Sequence, residues 1–159
     1  EERENLSEIE IGKGYILKEG ENVAILNLGT RLESCEDAIK MLNENNIYPT
    51  LADARFAKPI DTKLIDQLLD NHKYIITIEE GSIGGFGSHV LNYVSNVRAK
   101  KSSSIIKNIF FPDRFINHMK PEEQYQDINM DANSIAQMVS SLNDNKIIEL
   151  KNFNINNNT

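Results

Sequence analysis

Strand-like and helix-like segments alternate along this chain, which predicts an α/β domain built on a largely parallel sheet. Two observations carry that reading. Val23-Ala24-Ile25-Leu26-Asn27-Leu28 and Tyr74-Ile75-Ile76-Thr77-Ile78 are near-continuous apolar runs, as expected of central strands covered on both faces. The segments around them carry apolar residues at helical spacing, each with one stripe to bury.

Size and composition agree with a single domain. A chain of 159 residues buries about 68–70% of the surface its unfolded form exposes, so one core needs no metal or disulfide to hold it. Hydrophobic residues make up 40% and charged residues 26%. No apolar run approaches the ~20 residues of a membrane-spanning helix. The opening Glu1-Glu2-Arg3-Glu4 is too polar for a secretory signal and lacks an initiator Met, so the chain reads as a piece of something longer. A formal charge of −7 disfavours nucleic acid and anionic lipid as partners by long-range repulsion. Cys35 is the only cysteine, so no internal disulfide can form, and its helix-face position suits a small buried hydrophobe. Heavy use of Asn and Ile, up to Asn156-Asn157-Asn158, points to an AT-rich genome.

The elements follow in order. Tyr15-Ile16-Leu17 is a short strand bounded by Gly14 and Gly20, and Val23 to Leu28 is the first central one. Gly29 ends it. Thr30 lies three residues before Glu33, the spacing of a capping box, and opens a helix with Leu32, Cys35, Ile39 and Leu42 on one face. Pro49 to Phe56 is the next strand. Pro59 and Asp61 mark a helix start, with Leu64, Ile65, Leu68 and Leu69 as its buried stripe. Tyr74 to Ile78 leads through Glu79-Glu80 into a glycine-rich turn and a helix presenting Val90, Leu91, Val94 and Val97. Ile105 to Phe111 is a further strand, stopped by Pro112. Pro121 suits the first turn of a short helix. Asp131 caps the last one, with Ile135, Met138, Val139 and Leu142 inward. Residues 1–10 read as a linker, 11–143 as the domain, and 144–159 as an Asn-rich tail. That tail is either an added edge element or a disordered end.

Several groups could carry chemistry. Gly81-Ser82-Ile83-Gly84-Gly85-Phe86-Gly87 follows a strand and opens a helix, so a nucleotide cradle must be weighed. Neither known spacing fits: Val90 stands where a dinucleotide fingerprint needs Gly or Ala, and no Gly-Lys-Ser/Thr follows. Glu79 and Glu80 would also repel an anion. The glycines therefore read as a tight strand-to-helix turn with close packing. Glu79 and Glu80, adjacent at a strand end, point to opposite faces, which suits a helix cap or an ion pair better than a catalytic dyad. His72, His89 and His118 are too scattered for a metal site. Arg55 and Lys58 could meet a phosphate, although a pair with an acidic group is the reading an acidic domain favours. Asp113-Arg114 reads as a turn with a local ion pair. The residues by themselves thus predict no catalytic, cofactor-binding or metal site.

Four motifs resemble one family. Gly12-Lys13-Gly14 with Glu19 to Thr30 is similar to the start of the third domain of 1-deoxy-D-xylulose-5-phosphate synthases. Asp53-Ala54-Arg55-Phe56-Ala57-Lys58-Pro59-Ile60-Asp61 resembles that family's D-x-R-F-x-K-P-L-D, with Ile60 for Leu. Glu79 to Val90 matches its most recognisable stretch. Phe111-Pro112-Asp113-Arg114-Phe115-Ile116-Asn117-His118, with Pro121 and Gln124, resembles L-P-D-R-F-I-D-H-G-x-P-x-x-Q, Met119 replacing Gly. The likeness runs from about Glu8 to Leu142. Parts of it are shared with transketolases and the β subunits of 2-oxo acid dehydrogenases, which stand as alternatives beside a free-standing metabolite-binding regulatory domain.

The resemblance implies a three-layer α/β/α unit with a five-stranded mixed sheet in the order 1-3-2-4-5 and strand 1 antiparallel at the edge. Local reading of Gly20-Glu21 would instead join the first two strands as a hairpin. The implied reaction joins pyruvate to D-glyceraldehyde 3-phosphate with loss of CO₂, using thiamine diphosphate and Mg²⁺. In that family the cofactor residues lie in preceding domains, so this chain is expected to bind no cofactor and to be structural. Its implied partners are those preceding domains and, for the whole enzyme, a second copy. The implied location is an apicoplast-type plastid or, alternatively, the bacterial cytoplasm. Strand order 1-3-2-4-5 places a switch point between strands 3 and 4, where partners settle. Candidate interface residues there are Gly29, Thr30, Glu80, Gly84, Gly85 and Phe86. Arg55, Asp113 and Arg114 lie on loops beside them.

Overall fold

A computed structural model of the chain describes residues 9–98 and 103–143. Among them five strands form one sheet: β1 (Tyr15–Lys18), β2 (Val23–Leu28), β3 (Thr50–Asp53), β4 (Tyr74–Glu79) and β5 (Ile105–Ile109), ordered β1-β3-β2-β4-β5. Only β1 is antiparallel, pairing with β3 through Tyr15↔Asp53 and Ile16↔Ala52. The β2–β4 ladder runs in register from Val23↔Tyr74 to Leu28↔Glu79. Because β2 is flanked by β3 and β4, no edge is left for the local hairpin. The Gly20 turn is tied to β3 instead: Gly20 N–H donates to Thr50 Oγ1 at 2.9 Å and Glu21 N–H to the Tyr48 carbonyl at 2.8 Å.

Helices cover both faces. On one side α1 (Leu32–Asn43) and α5 (Ala132–Leu142) bury Cys35, Ile39, Leu42, Ile135 and Val139 against Val23, Ile25, Ile76 and Ile78. On the other, α2 (Thr62–Asn71) and α3 (Phe86–Tyr93) bury Leu64, Leu68, Phe86 and Val90 against Ala24, Leu26, Ala52 and Ile75. Alternate residues of one strand therefore feed separate cores, which is why β2 and β4 read as unbroken apolar runs. A short α4 (Pro121–Asp127) precedes α5. As expected, Asp61 and Asp131 cap α2 and α5, accepting from Leu64 N–H and Asn133 N–H respectively.

Three local expectations change. The Thr30–Glu33 capping box does not form: the residue before α1 is Arg31, with no side-chain cap, and Thr30 bonds Glu80 instead. After α3 the chain widens into a π turn, Val94–Arg98, and the buried stripe follows Phe86, Val90, Tyr93 and Val94. Val97, expected inward, is therefore exposed, and Leu91, also expected inward, is exposed one position off the stripe within α3. Strands β3 and β5 are also shorter than Pro49–Phe56 and Ile105–Phe111. The readings for 1–8 and for the tail 144–159 lie outside the described residues.

Candidate functional site: the loops at the carboxyl end of the sheet

The parallel strands all deliver their carboxyl ends to one face, where the loops after β2, β4 and β5 meet. Glu79, the last residue of β4, is 7% exposed. Its carboxylate turns into the glycine loop and accepts from Phe86 N–H and Gly87 N–H, both at 2.8 Å. Those are first-turn donors of α3, the groups that would otherwise hold an anion. The position is already filled by the chain's own charge. Gly85 is required by that filling, since any Cβ there would overlap Glu79 Oε2. Gly84 serves conformation instead, at φ +101 with open space around it.

Glu80 points the other way, as adjacent strand residues must. It accepts from Tyr125 Oη at 2.7 Å and lies 2.8 Å from Arg31 Nε, an ion pair whose N–H is off the hydrogen-bond axis. The Arg31 guanidinium stacks 3.5 Å over the Tyr125 ring. Burial pushes the Glu80 carboxyl up, but hydrogen bonds from Thr30 and Tyr125 and the Arg31 charge outweigh it, leaving the group below the usual carboxylate range. The same bond to Glu80, with burial second, raises the Tyr125 phenol. This knot straps α1, β4 and α4 together across the switch point. It absorbs Thr30 and Glu80, two of the candidates.

The remaining candidates are scattered. Gly29, at φ +89, sits beside the knot, its carbonyl accepting from Asn27 Nδ2 at 2.9 Å. Phe86 is 2% exposed and turned into the core beside α2. Arg55 lies beyond β3, toward the β1 edge, in a left-handed conformation at φ +56 that Asp53 Oδ1 supports by accepting its N–H at 3.0 Å. Its guanidinium stacks 4.0 Å over Tyr15 and pairs loosely with Asp53 at 3.9 Å, so the intramolecular reading holds. The local Asp113–Arg114 pair does not form: Arg114 reaches instead to Asp127 Oδ2 at 2.6 Å, pinning its loop to the end of α4. Arg31, Tyr125 and Asp127 were not legible as site residues, because their partners lie far away in sequence. The histidines also stay apart. His72, 8% exposed, donates from Nδ1 to the Leu68 carbonyl (2.9 Å), and its Nε2 lies 2.7 Å from Thr50 Oγ1. No group of three metal-ligating side chains is assembled among the described residues.

What this face does offer is bulk apolar surface. Ile83, at the crest of the glycine loop, is 70% exposed, and Phe115, in the loop after β5, is 100% exposed. The two loops are joined at their base by Phe111 N–H donating to the Gly81 carbonyl at 2.7 Å. Two large apolar side chains thus stand in solvent on loops at this end of the sheet.

A five-stranded mixed sheet of this order, with carboxyl-end loops closed on themselves, is the form of the module that ends transketolase-type chains. The family model described as "Transketolase, C-terminal domain" matches residues 12–135, and the chain belongs to that family. Its curated relatives narrow the branch. A chloroplastic 1-deoxy-D-xylulose-5-phosphate synthase 1 of Cannabis sativa is 44% identical over 131 residues, covering 82% of this chain and 18% of the relative. A 1-deoxy-D-xylulose-5-phosphate synthase 2 of Jannaschia sp. (strain CCS1) is 42% identical over 129 residues, covering 81% and 20%. The chain thus spans about a fifth of the length of the relatives it matches. Among solved structures, a split-gene transketolase described as an inactive β4 tetramer superposes with a TM-score of 0.74 at 28% identity, over 84% of this chain and 43% of that one. A transketolase of Pichia stipitis, at 15% identity and a TM-score of 0.56 over 82% of this chain and 18% of that one, shares the fold.

Proposed function

We propose that the chain is the C-terminal domain of a 1-deoxy-D-xylulose-5-phosphate synthase and that it works as a structural module. The whole enzyme joins pyruvate to D-glyceraldehyde 3-phosphate, releasing CO₂, and its thiamine diphosphate supplies the nucleophilic carbon when bound with Mg²⁺. This chain's residues do not fit that cofactor. The single observation carrying the reading is the Glu79 carboxylate seated at the α3 N-terminus, on the amides that the glycine loop would otherwise offer to an anion.

Its role is to present Ile83 and Phe115 to the companion domains of the same polypeptide, stabilising the whole enzyme and its pairing with a second copy. A plastid compartment suits the reading, since the relatives include chloroplastic synthases. The test uses the whole enzyme and this chain in parallel. Phe115→Asp, a change at a fully exposed side chain, should leave the isolated chain's melting temperature unchanged. In the whole enzyme it should lower the melting temperature by several degrees and reduce CO₂ release from pyruvate and D-glyceraldehyde 3-phosphate. An equal loss in both proteins, or none in the whole enzyme, contradicts the docking role. Absence of that turnover in the unmutated enzyme contradicts the assignment itself.

A further inference from the structure

The stretch between β5 and α5 is bonded chiefly to itself. No residue from 110 to 127 is buried, although Ile109 before it and Ile128 and Met130 after it are. Arg114 donates twice to Asp127, to the carboxylate at 2.6 Å and to the main-chain carbonyl at 3.1 Å, which ties the start of the stretch to its end. Between them, Gln124 Nε2 donates to the Asn117 carbonyl at 2.9 Å and the Lys120 amide to Glu123 Oε2 at 3.3 Å.

Its hold on the rest of the domain is narrow. Among the described residues, the side-chain hydrogen bond that leaves 112–127 is Tyr125 Oη to Glu80 at 2.7 Å, with Arg31 stacked on the same ring. Phe111, Ile116 and Tyr125 lie only partly buried against the core beneath α1 and α5. Release also costs little on the Glu80 side. That carboxylate keeps Thr30 and Arg31 as partners when Tyr125 leaves, so no charge is orphaned. A seven-residue helix with no buried residue is not stable by itself in water, so α4 keeps its shape only while the stretch is seated.

We propose that residues 112–127 unseat as one cooperative unit, latched by the Tyr125–Glu80 bond, and that this motion gates the switch-point end of the sheet. Seated, the Tyr125 ring covers Arg31 and its hydroxyl occupies Glu80. Unseated, the unit bares that guanidinium and carboxylate beside the apolar sides of Phe111 and Ile116, while the sheet and its long helices stay folded. The hinges are the buried Ile128 and Met130 on one side and Phe111 N–H, bonded to the Gly81 carbonyl at 2.7 Å, on the other. The Arg114–Asp127 tie couples the two ends, so neither frays without the other. Openings below the global unfolding free energy are drawn from segments with few buried contacts, as this one is.

The test is native-state amide exchange on the full chain, read residue by residue. The bonded amides of Arg114 and Gln124, near the two ends of the unit, should share one opening constant, well above that of Ile76 in β4. Tyr125→Phe keeps the ring under Arg31 and removes the latch. It should raise the shared constant about five- to tenfold and leave Ile76 unchanged. Tyr93→Phe removes a bond of the same kind, to Asp66 at 2.9 Å on the other face, and should leave Arg114 and Gln124 as they were. Unrelated opening constants at Arg114 and Gln124 in the unmutated chain overturn the proposal, as does a unit that exchanges no faster than Ile76. An equal rise at Ile76 in Tyr125→Phe, or an equal rise at Gln124 in Tyr93→Phe, also overturns it, because the bond would then serve the whole fold rather than a latch.

Discussion

Glu79 decides what the glycine loop is. Its two hydrogen bonds are charge-assisted and dry, and the side chain fits only because Gly85 carries no Cβ. Glu79→Gln keeps the volume but replaces one acceptor with a donor facing an N–H, so it should cost about 1–3 kcal/mol of stability, read by urea denaturation. Wild-type stability in that variant would mean the carboxylate does not seat the helix. Cys35 makes a second residue-scale case. Burial pushes its thiol up to about 12, against a smaller lowering by Arg31. The thiol should therefore resist iodoacetamide at pH 8 in the folded chain and react on unfolding. Because the folded value lies above the unfolded one, this group's stabilising contribution is complete below about pH 9 and declines as pH rises toward 12. At this scale the sequence showed that the loop's spacing fits no known phosphate cradle. It also offered Glu79 and Glu80 as a helix cap or an ion pair, but not which amides Glu79 binds, since they lie 7 and 8 positions on.

Between elements, the seams are closed by single cations shared among acids and rings. Arg98, at the end of the π turn, reaches Asp66 Oδ1 at 3.2 Å and also Asp70 on α2, and Tyr93 Oη donates to Asp66 at 2.9 Å. The Arg98 side chain is only 13% exposed, although Asp70 is well solvated. Arg98→Ala should therefore cost about 1–3 kcal/mol, between a surface pair and a buried one. Amide exchange should rise first across 94–98, and uniform exchange across the chain would contradict this local role. Helices α2 and α5 were legible with their caps because Asp61 and Asp131 bond N–H groups only two or three residues on. The Thr30–Glu33 box was misread because Glu80, fifty positions away, competes for the Thr30 hydroxyl. Val97 was misplaced because helical periodicity assumes 3.6 residues per turn, which the π turn breaks, whereas Leu91 lies in the regular turns of α3, one position off the stripe of Phe86, Val90 and Tyr93.

For the whole molecule, alternation of strands and helices gave the class, but not which strand lies beside which. Parallel strands leave no local record of their neighbours, and Gly20-Glu21 favoured a hairpin. The order β1-β3-β2-β4-β5 came from motif resemblance, and the structure has it. The exposure of Ile83 and Phe115 was invisible to pattern reading, since single apolar residues in loops carry no periodicity. At this scale we propose that the domain supports a thiamine-diphosphate enzyme without touching its cofactor, since Glu79 occupies the helix end that follows the glycine loop. Isothermal titration of the chain with thiamine diphosphate and Mg²⁺ tests it most directly. The account predicts no saturable heat at millimolar cofactor, and a micromolar dissociation constant would contradict it.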